Sequence, residues 1–129
     1  MRVAYSVFRQ YAIRLSFHGY CDGCPSPCRL APVGGDRLRE TSTLLAFRHP
    51  TSAYPLHVLL VPKKPIPTLS ALDPVADGAF LTDVFATAQS LVEQFHLAEG
   101  GYRLIVNGGK YQDFPYLHFH LISDLKTDH

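Results

Sequence analysis

The chain has 129 residues, 47% of them hydrophobic, and a formal net charge of +1 at pH 7. That length suits one domain, the balanced charge argues against a broad nucleic-acid-binding surface, and no apolar run approaches the roughly 18 residues of a membrane span. Arg9 and Arg14 interrupt the N-terminal stretch, which is therefore not typical of a signal peptide, and we expect a cytoplasmic protein whose three cysteines are thiols or metal ligands.

The first quarter of the chain has few regular signals. Residues 1–17 fit a helical stripe and, in part, the alternation of a strand, and we favour a helix. Cys21–Cys28 contains two prolines and a glycine, which exclude regular structure, and Gly34–Asp36 predicts a turn. We expect residues 1–20 to be an N-terminal extension and residues 21–129 to form the domain.

Two strands and the start of a helix are predicted next. Thr43–Phe47 and Leu56–Val61 are short apolar runs, and Pro50 and Pro55 bracket the link between them, which favours a hairpin with a long loop. A proline-rich connector follows at residues 62–67. Ser70 and Asp73 then have the spacing of a capping box, and Asp73 followed by proline is another helix start.

The second half of the chain predicts one long helix and two more strands. The apolar face of the helix comprises Phe80, Val84, Ala88, Leu91, Val92 and Phe95. We expect Gly100-Gly101 to end this helix. Tyr102–Asn107 and Tyr116–Ser123 predict strands joined by a turn at Gly108-Gly109. The order predicts an α+β domain, in which a long helix packs on one face of an antiparallel sheet.

The last predicted strand carries the most informative side chains. Alternation along a strand places Tyr116, His118 and His120 on one face, where two imidazoles can act on one phosphate or bind one metal. The alternative is a partly buried polar face without function. His57 interrupts the apolar run of an earlier strand, so it needs a hydrogen-bond partner or a chemical role. If the two strands are neighbours, three imidazoles converge.

Such imidazoles are suited to attack at phosphorus. The neutral ring is available near pH 7, and a hydrogen bond to one nitrogen fixes the tautomer that leaves the other nitrogen nucleophilic. Neighbouring histidines and backbone N–H groups can stabilise charge on the phosphate oxygens. The segment Asn107-Gly108-Gly109 would allow the backbone to approach a phosphate closely.

These residues resemble the histidine triad (HIT) superfamily, whose motif is His-φ-His-φ-His-φ-φ, with φ apolar. The corresponding residues here are 116–122, and the resemblance extends over residues 45–47, 55–64, 101–107 and Gln112, covering about residues 21–124. It implies a HIT-like antiparallel sheet of about five strands and a homodimer paired through the helix and an edge strand. It also implies a nucleotide hydrolase or transferase acting at an α-phosphate, with a phosphoramidate or dinucleoside polyphosphate as substrate.

The resemblance assigns roles to single residues. His118 would be the nucleophile that forms a nucleotidyl-histidine intermediate, His120 would stabilise the phosphate, and His57 would orient the site. Positions that bind the substrate would be Phe47, His49, Asn107, Gln112, Asp113 and Tyr116. Catalysis in this family requires no cofactor.

Three substitutions depart from the family pattern. Tyr116 replaces the first histidine of the motif, and His49 replaces the acidic or amide side chain that usually holds the ribose. Asp113 replaces a serine that assists the leaving group, and an ionised carboxylate cannot donate a proton there. These departures motivate an alternative function, a non-catalytic module that binds a nucleotide or another phosphate.

The cysteines raise the question of zinc. Cys21 and Cys24 match a Cys-x-x-Cys of zinc-bearing HIT proteins, but the two histidines that complete that site are replaced by Tyr116 and Pro65. Cys28 could replace one of them, because three thiolates at this spacing favour a tetrahedral site. The fourth ligand would then be His18 or His49. A structural zinc therefore stays an expectation, with a loop of unligated thiols as the alternative.

Overall fold

The computed structural model describes residues 37–49 and 52–125. Its elements are β1 (Arg37–Glu40), β2 (Leu44–Arg48), β3 (Leu56–Pro62), helix α1 (Gly78–Gln94), β4 (Arg103–Val106) and β5 (Phe119–Ser123), with one-turn 3-10 helices at Leu69–Ala71 and Gly109–Tyr111. The strands form one antiparallel sheet in the order β1-β2-β3-β5-β4. The predicted α+β fold is confirmed, including the hairpin of β2 and β3 with its long loop.

Alternation along the strands divides the sheet into two apolar faces. The helix α1 covers one of them, and the core there contains Leu44, Ala46, Leu56, Val58, Leu60, Phe80, Val84, Leu91, Phe119 and Leu121. A smaller cluster lies on the opposite face and comprises Leu45, Phe47, Leu59, Val61 and Phe114. Side chains at even and odd positions of one strand thus face different surroundings, and the face opposite α1 is the one that carries the histidines.

The helix is shorter at both ends than the sequence predicts. The predicted capping box at Ser70 is wrong, because Leu69–Ala71 forms a separate 3-10 turn and α1 begins at Gly78. Asp73 does act as a local cap, since its Oδ1 accepts the backbone N–H groups of Val75 and Ala76 at 2.9 and 3.2 Å. The predicted end at Gly100-Gly101 is also wrong, because the last helical residue is Gln94.

The strand β1 has no counterpart among the predicted elements. Its sequence, Arg-Leu-Arg-Glu, has one apolar residue and therefore no alternation to detect. Contacts with the helix hold this edge strand in place. Arg39 donates from Nε to Ser90 Oγ at 3.1 Å and from Nη2 to Gln94 Oε1 at 2.6 Å.

The strand with the histidines begins later than predicted. β5 starts at Phe119, and the backbone N–H of Leu117 donates to the carbonyl of Ile66 at 2.7 Å instead of to a neighbouring strand. Tyr116 and His118 nevertheless lie on the same side as His120. The prediction of a shared face is therefore correct, although the strand itself is shorter.

The predicted helix in residues 1–17, the extension to residue 20 and the turn at Gly34–Asp36 lie outside the described residues and stay predictions. In the part of the chain that is described, no helix combines the length and apolar character needed to cross a membrane.

Candidate active site

Four histidines meet on the face of the sheet opposite α1, and we call them the histidine cluster. His57 lies on β3 and His120 on β5, which pair directly, while His49 follows β2 and His118 precedes β5. Ring centroids are 4.6 Å apart for His49 and His57, 5.1 Å for His57 and His120, and 4.7 Å for His118 and His120. The pairing of β3 with β5 thus brings together the three imidazoles that the sequence predicts, with His49 as a fourth.

The backbone fixes the ring of His118. Its Nδ1 lies 2.9 Å from the carbonyl oxygen of Tyr116, and the residue is only 7% exposed. A carbonyl can only accept a hydrogen bond, so Nδ1 carries the proton and Nε2 of the neutral ring carries the lone pair. This is the tautomer that a nucleophile acting through Nε2 requires.

A second chain of hydrogen bonds holds the other two imidazoles. His57 Nε2 lies 2.8 Å from His120 Nδ1, and His57 Nδ1 lies 2.5 Å from Ser52 Oγ. The remaining ring nitrogen, His120 Nε2, is buried and has no hydrogen-bond partner among the described residues. Both rings are therefore oriented by protein groups, and one polar atom of the pair is left for another partner.

Burial keeps the histidine cluster uncharged near pH 7. It is the main reason that the pKa of His57 falls to about 4 and that of His120 to about 3, and the positive charge of neighbouring imidazoles lowers both further. Burial also lowers the pKa of His49 and His118, although the backbone hydrogen bond of His118 opposes this. Neutral rings retain the lone pairs that nucleophilic and acceptor roles need.

The two aromatic residues predicted to contact a substrate belong to the floor of this face. Phe47 is fully buried in the cluster formed with Leu59 and Phe114. Tyr116 is half-buried and packs on the same cluster, with its ring 5.8 Å from that of Phe114. Tyr116 supports His118 through its backbone carbonyl, a group that any residue at this position provides.

The remaining predicted site residues lie between the end of β4 and His118 in the chain. Gln112 uses its amide nitrogen to bridge two carbonyls, Pro67 at 2.8 Å and Phe114 at 3.0 Å. Asp113 is exposed, and its carboxylate opposes the lowering of the pKa of His118. Asn107 follows directly after β4, one residue beyond the pairing of Val106 with β5.

Sequence reasoning does not identify Ser52. A single serine in a loop, five residues before a histidine, has no periodicity or motif that would single it out. Its proximity to His57 depends on the fold of the β2–β3 loop. The structure therefore adds a polar group to the site that the motif does not include.

The candidate zinc ligands are not part of this site. Cys21, Cys24, Cys28 and His18 lie outside the described residues, and zinc stays a prediction. Within residues 37–49 and 52–125, no group of three His, Cys, Asp or Glu side chains could hold a metal ion.

Comparison with known proteins agrees with this geometry. A family model described as the HIT domain matches residues 35–127. An uncharacterised HIT-like protein of Synechocystis sp. is 35% identical over 86 residues, which are 65% of this chain and 74% of that protein. The purine nucleoside phosphoramidase of Escherichia coli K12 is 30% identical over 93 residues, covering 70% of this chain and 77% of the enzyme.

A solved structure supports the same assignment. A HIT family hydrolase from Clostridium thermocellum has a TM-score of 0.65 to this chain at 28% identity, over 75% of this chain and 85% of the other. The five-stranded sheet and the long helix α1 of the described residues agree with the match of the family model over most of the chain. The chain therefore belongs to the histidine triad family.

Proposed function

We propose that this protein is a nucleotide hydrolase or nucleotidyl transferase that acts at an α-phosphate, with His118 as the nucleophile. The observation that carries the proposal is the hydrogen bond from His118 Nδ1 to the Tyr116 carbonyl, which places the lone pair on Nε2. The similarity to a purine nucleoside phosphoramidase supports a nucleoside phosphoramidate as one substrate class.

The reaction would proceed in two displacements. His118 Nε2 attacks the α-phosphorus, and a nitrogen–phosphorus bond forms while the bond to the leaving nitrogen or oxygen breaks. The leaving atom takes a proton from water or from a donor at the site. Water then attacks phosphorus and loses a proton, the bond to His118 breaks, and a nucleoside monophosphate is released.

The rest of the histidine cluster would stabilise the transferred group. His120 Nε2 is buried without a partner in the described part of the chain, so it is suited to meet a phosphate oxygen. His57 bonds the opposite nitrogen of that ring and orients it. No metal or other cofactor takes part in this proposal.

The departures from the family motif would alter which substrates are preferred more than they would alter the nucleophilic role of His118. We propose that Tyr116 stands at the position of the first motif histidine, where its carbonyl supports His118. His49 stacks on His57 with the ring planes at 22°, which is unlike a carboxylate that receives two ribose hydroxyls. We therefore expect the activity to depend less on the ribose hydroxyls of the substrate than it does in relatives with an acidic residue at this position.

The test is turnover of a nucleotide panel that includes adenosine phosphoramidate and dinucleoside polyphosphates. His118→Ala should lower kcat/KM by at least about 1,000-fold, because it removes the group that forms the covalent bond. His96→Ala, which removes an exposed histidine outside the cluster, is the matched control. Mass spectrometry of quenched reactions should find a nucleotidyl adduct on His118 in the wild-type protein alone.

Two results would contradict the catalytic proposal. One is equal turnover by the wild-type protein and His118→Ala. The other is thermal stabilisation by nucleotides without any product, which would support the alternative of a binding module.

We also propose a homodimer formed through α1 and β4. β4 is an edge strand, and strand edges pair readily. An apolar groove of about 610 Å³ lies beside it, and Phe85, Val92, Tyr102, Leu104 and Leu121 contribute to its lining. Phe85 is 62% exposed and Tyr102 is 48% exposed, so the groove presents two aromatic rings that a second copy would cover.

A further inference from the structure

A chain of hydrogen bonds leads from Ser52 to the centre of the histidine cluster. Ser52 Oγ lies 2.5 Å from His57 Nδ1, and His57 Nε2 lies 2.8 Å from His120 Nδ1. A neutral imidazole carries one proton, so it has one donor nitrogen and one acceptor nitrogen. The direction of the first hydrogen bond therefore determines the direction of the second.

The backbone favours one of the two directions. The N–H of Tyr54 donates to Ser52 Oγ at 3.1 Å. This bond occupies a lone pair of the hydroxyl oxygen and polarises the hydroxyl, which favours donation of its proton to His57 Nδ1. His57 then donates from Nε2 to His120 Nδ1, and the single proton of His120 lies on its Nε2.

This series of hydrogen bonds ends at a ring nitrogen that has no hydrogen-bond partner among the described residues. His120 Nε2 is buried and makes no hydrogen bond within residues 37–49 and 52–125. Buried polar atoms without a partner are rare in folded proteins, and one that lies among the histidines of the candidate site is suited to contact a ligand. An N–H at this position would attract a phosphate oxygen, whereas the reverse direction of the chain would present a lone pair that repels it.

We propose that Ser52 is a positioning residue that sets the tautomer of His120 through His57, so that an N–H donor faces the phosphate of a bound nucleotide. The identity of the anion rests on the proposed function, but the tautomer does not depend on turnover. Both imidazoles are neutral near pH 7 because burial lowers their pKa. These hydrogen bonds therefore set which ring nitrogen of His120 is protonated, and they do not change the charge of the ring.

Long-range proton–nitrogen NMR of protein labelled with ¹⁵N-histidine tests the tautomers directly at neutral pH. We expect protonated Nε2 and unprotonated Nδ1 at both His57 and His120 in the wild-type protein. Ser52→Ala should give a mixture of tautomers, and Ser52→Thr, which keeps the hydroxyl, should restore the wild-type pattern. A wild-type His120 protonated at Nδ1, or a Ser52→Ala spectrum identical to wild type, would overturn the proposal.

Binding and turnover separate this proposal from the broader one. Ser52→Ala should lower the affinity for inorganic phosphate about 10-fold and should also lower kcat about 10-fold. Effects of this size are typical when a group that orients a site histidine is removed. The predicted tautomers without turnover of any nucleotide would refute the proposed function and still support the role of Ser52. An active enzyme whose tautomers and phosphate affinity do not change in Ser52→Ala would refute that role alone.

Discussion

At the scale of single residues, the site consists of imidazoles that the fold keeps neutral. His57 and His120 bond each other through ring nitrogens, and burial lowers the pKa of both far below the value of 6.5 for an exposed histidine. Neutrality preserves a lone pair on the neighbouring His118, as the proposed attack at phosphorus requires. It also makes the folded protein sensitive to acid, because the unfolded chain binds protons that the native site does not.

The free energy of unfolding should therefore fall as the pH decreases below about 6.5. The unfolded histidines take up protons there, while His57 and His120 stay neutral until about pH 4 and pH 3. Between pH 6.5 and 5.5 the pair should remove roughly 1 to 2 kcal/mol, and above pH 7.5 their contribution should be constant. Urea unfolding at a series of pH values measures this.

The matched control for the acid sensitivity is His57→Gln combined with His120→Gln. This variant lacks the two imidazoles and keeps every carboxylate, so its stability should decrease less steeply over the same pH range. Equal slopes for the wild-type protein and the double variant would contradict the assignment to these histidines.

At the scale of elements, the end of the helix is set by a residue that is not glycine. His96 has a φ of 55°, its N–H donates to Glu93 O at 3.2 Å, and the N–H of Leu97 donates to Val92 O at 3.0 Å. This is the pattern of a Schellman cap, with a histidine in the left-handed position that usually holds glycine. Leu97 is fully buried, and its packing compensates for the strain.

His96→Gly should stabilise the protein by up to about 1 kcal/mol, because glycine adopts a positive φ without the clash of a Cβ atom. His96→Ala is the matched control, since alanine keeps the Cβ and should bring no such gain. Chemical denaturation of the two variants gives the difference. A glycine variant no more stable than the alanine variant would show that strain at this position is negligible.

The turn between β1 and β2 is also tied to the helix. Asp83 Oδ2 accepts the hydroxyl protons of Thr41 and Thr43 at 2.9 and 2.5 Å. Asp83→Ala should lower the free energy of unfolding by about 1–3 kcal/mol, because two partly buried hydroxyls lose their acceptor. Glu93→Ala, an exposed change on the same helix, should have a much smaller effect in the same denaturation experiment. A similar decrease in the free energy of unfolding in both variants would contradict a specific role for the hydrogen bonds of Asp83.

At the scale of the whole molecule, the candidate site and the helix α1 lie on opposite faces of the sheet. The helix α1 covers one face and the histidine cluster occupies the other, so a partner on α1 and β4 need not block the candidate site. The proposed dimer can therefore be tested independently of the proposed activity.

Phe85→Glu should convert the dimer into a monomer, because it places a charge in the apolar groove that the second copy would cover. Ala79→Glu adds the same charge to the same helix outside the groove lining and should leave the dimer intact. Sedimentation or light scattering gives the masses. A monomeric wild-type protein, or a dimeric Phe85→Glu variant, would refute this interface.

The sequence by itself determined the faces of the predicted elements, the order along the chain of four of the five strands and the identity of the histidines. These properties follow from local alternation and from a motif of contiguous residues, which do not depend on distant segments. His57, His118 and His120 could be predicted because their neighbours in sequence are apolar at alternate positions. The helix could be predicted because Phe80, Val84 and Leu91 recur on one face.

Only the tertiary structure decided how these pieces meet. The start of β5 depends on the bond between Leu117 and Ile66, and the site acquires Ser52 through the path of the β2–β3 loop. The strand β1 pairs with β2, and Arg39 links it to the helix. Each of these contacts joins residues that are separated by a turn or a whole element. Their geometry is set by strand register and loop closure, and neither leaves a periodic signal in the sequence.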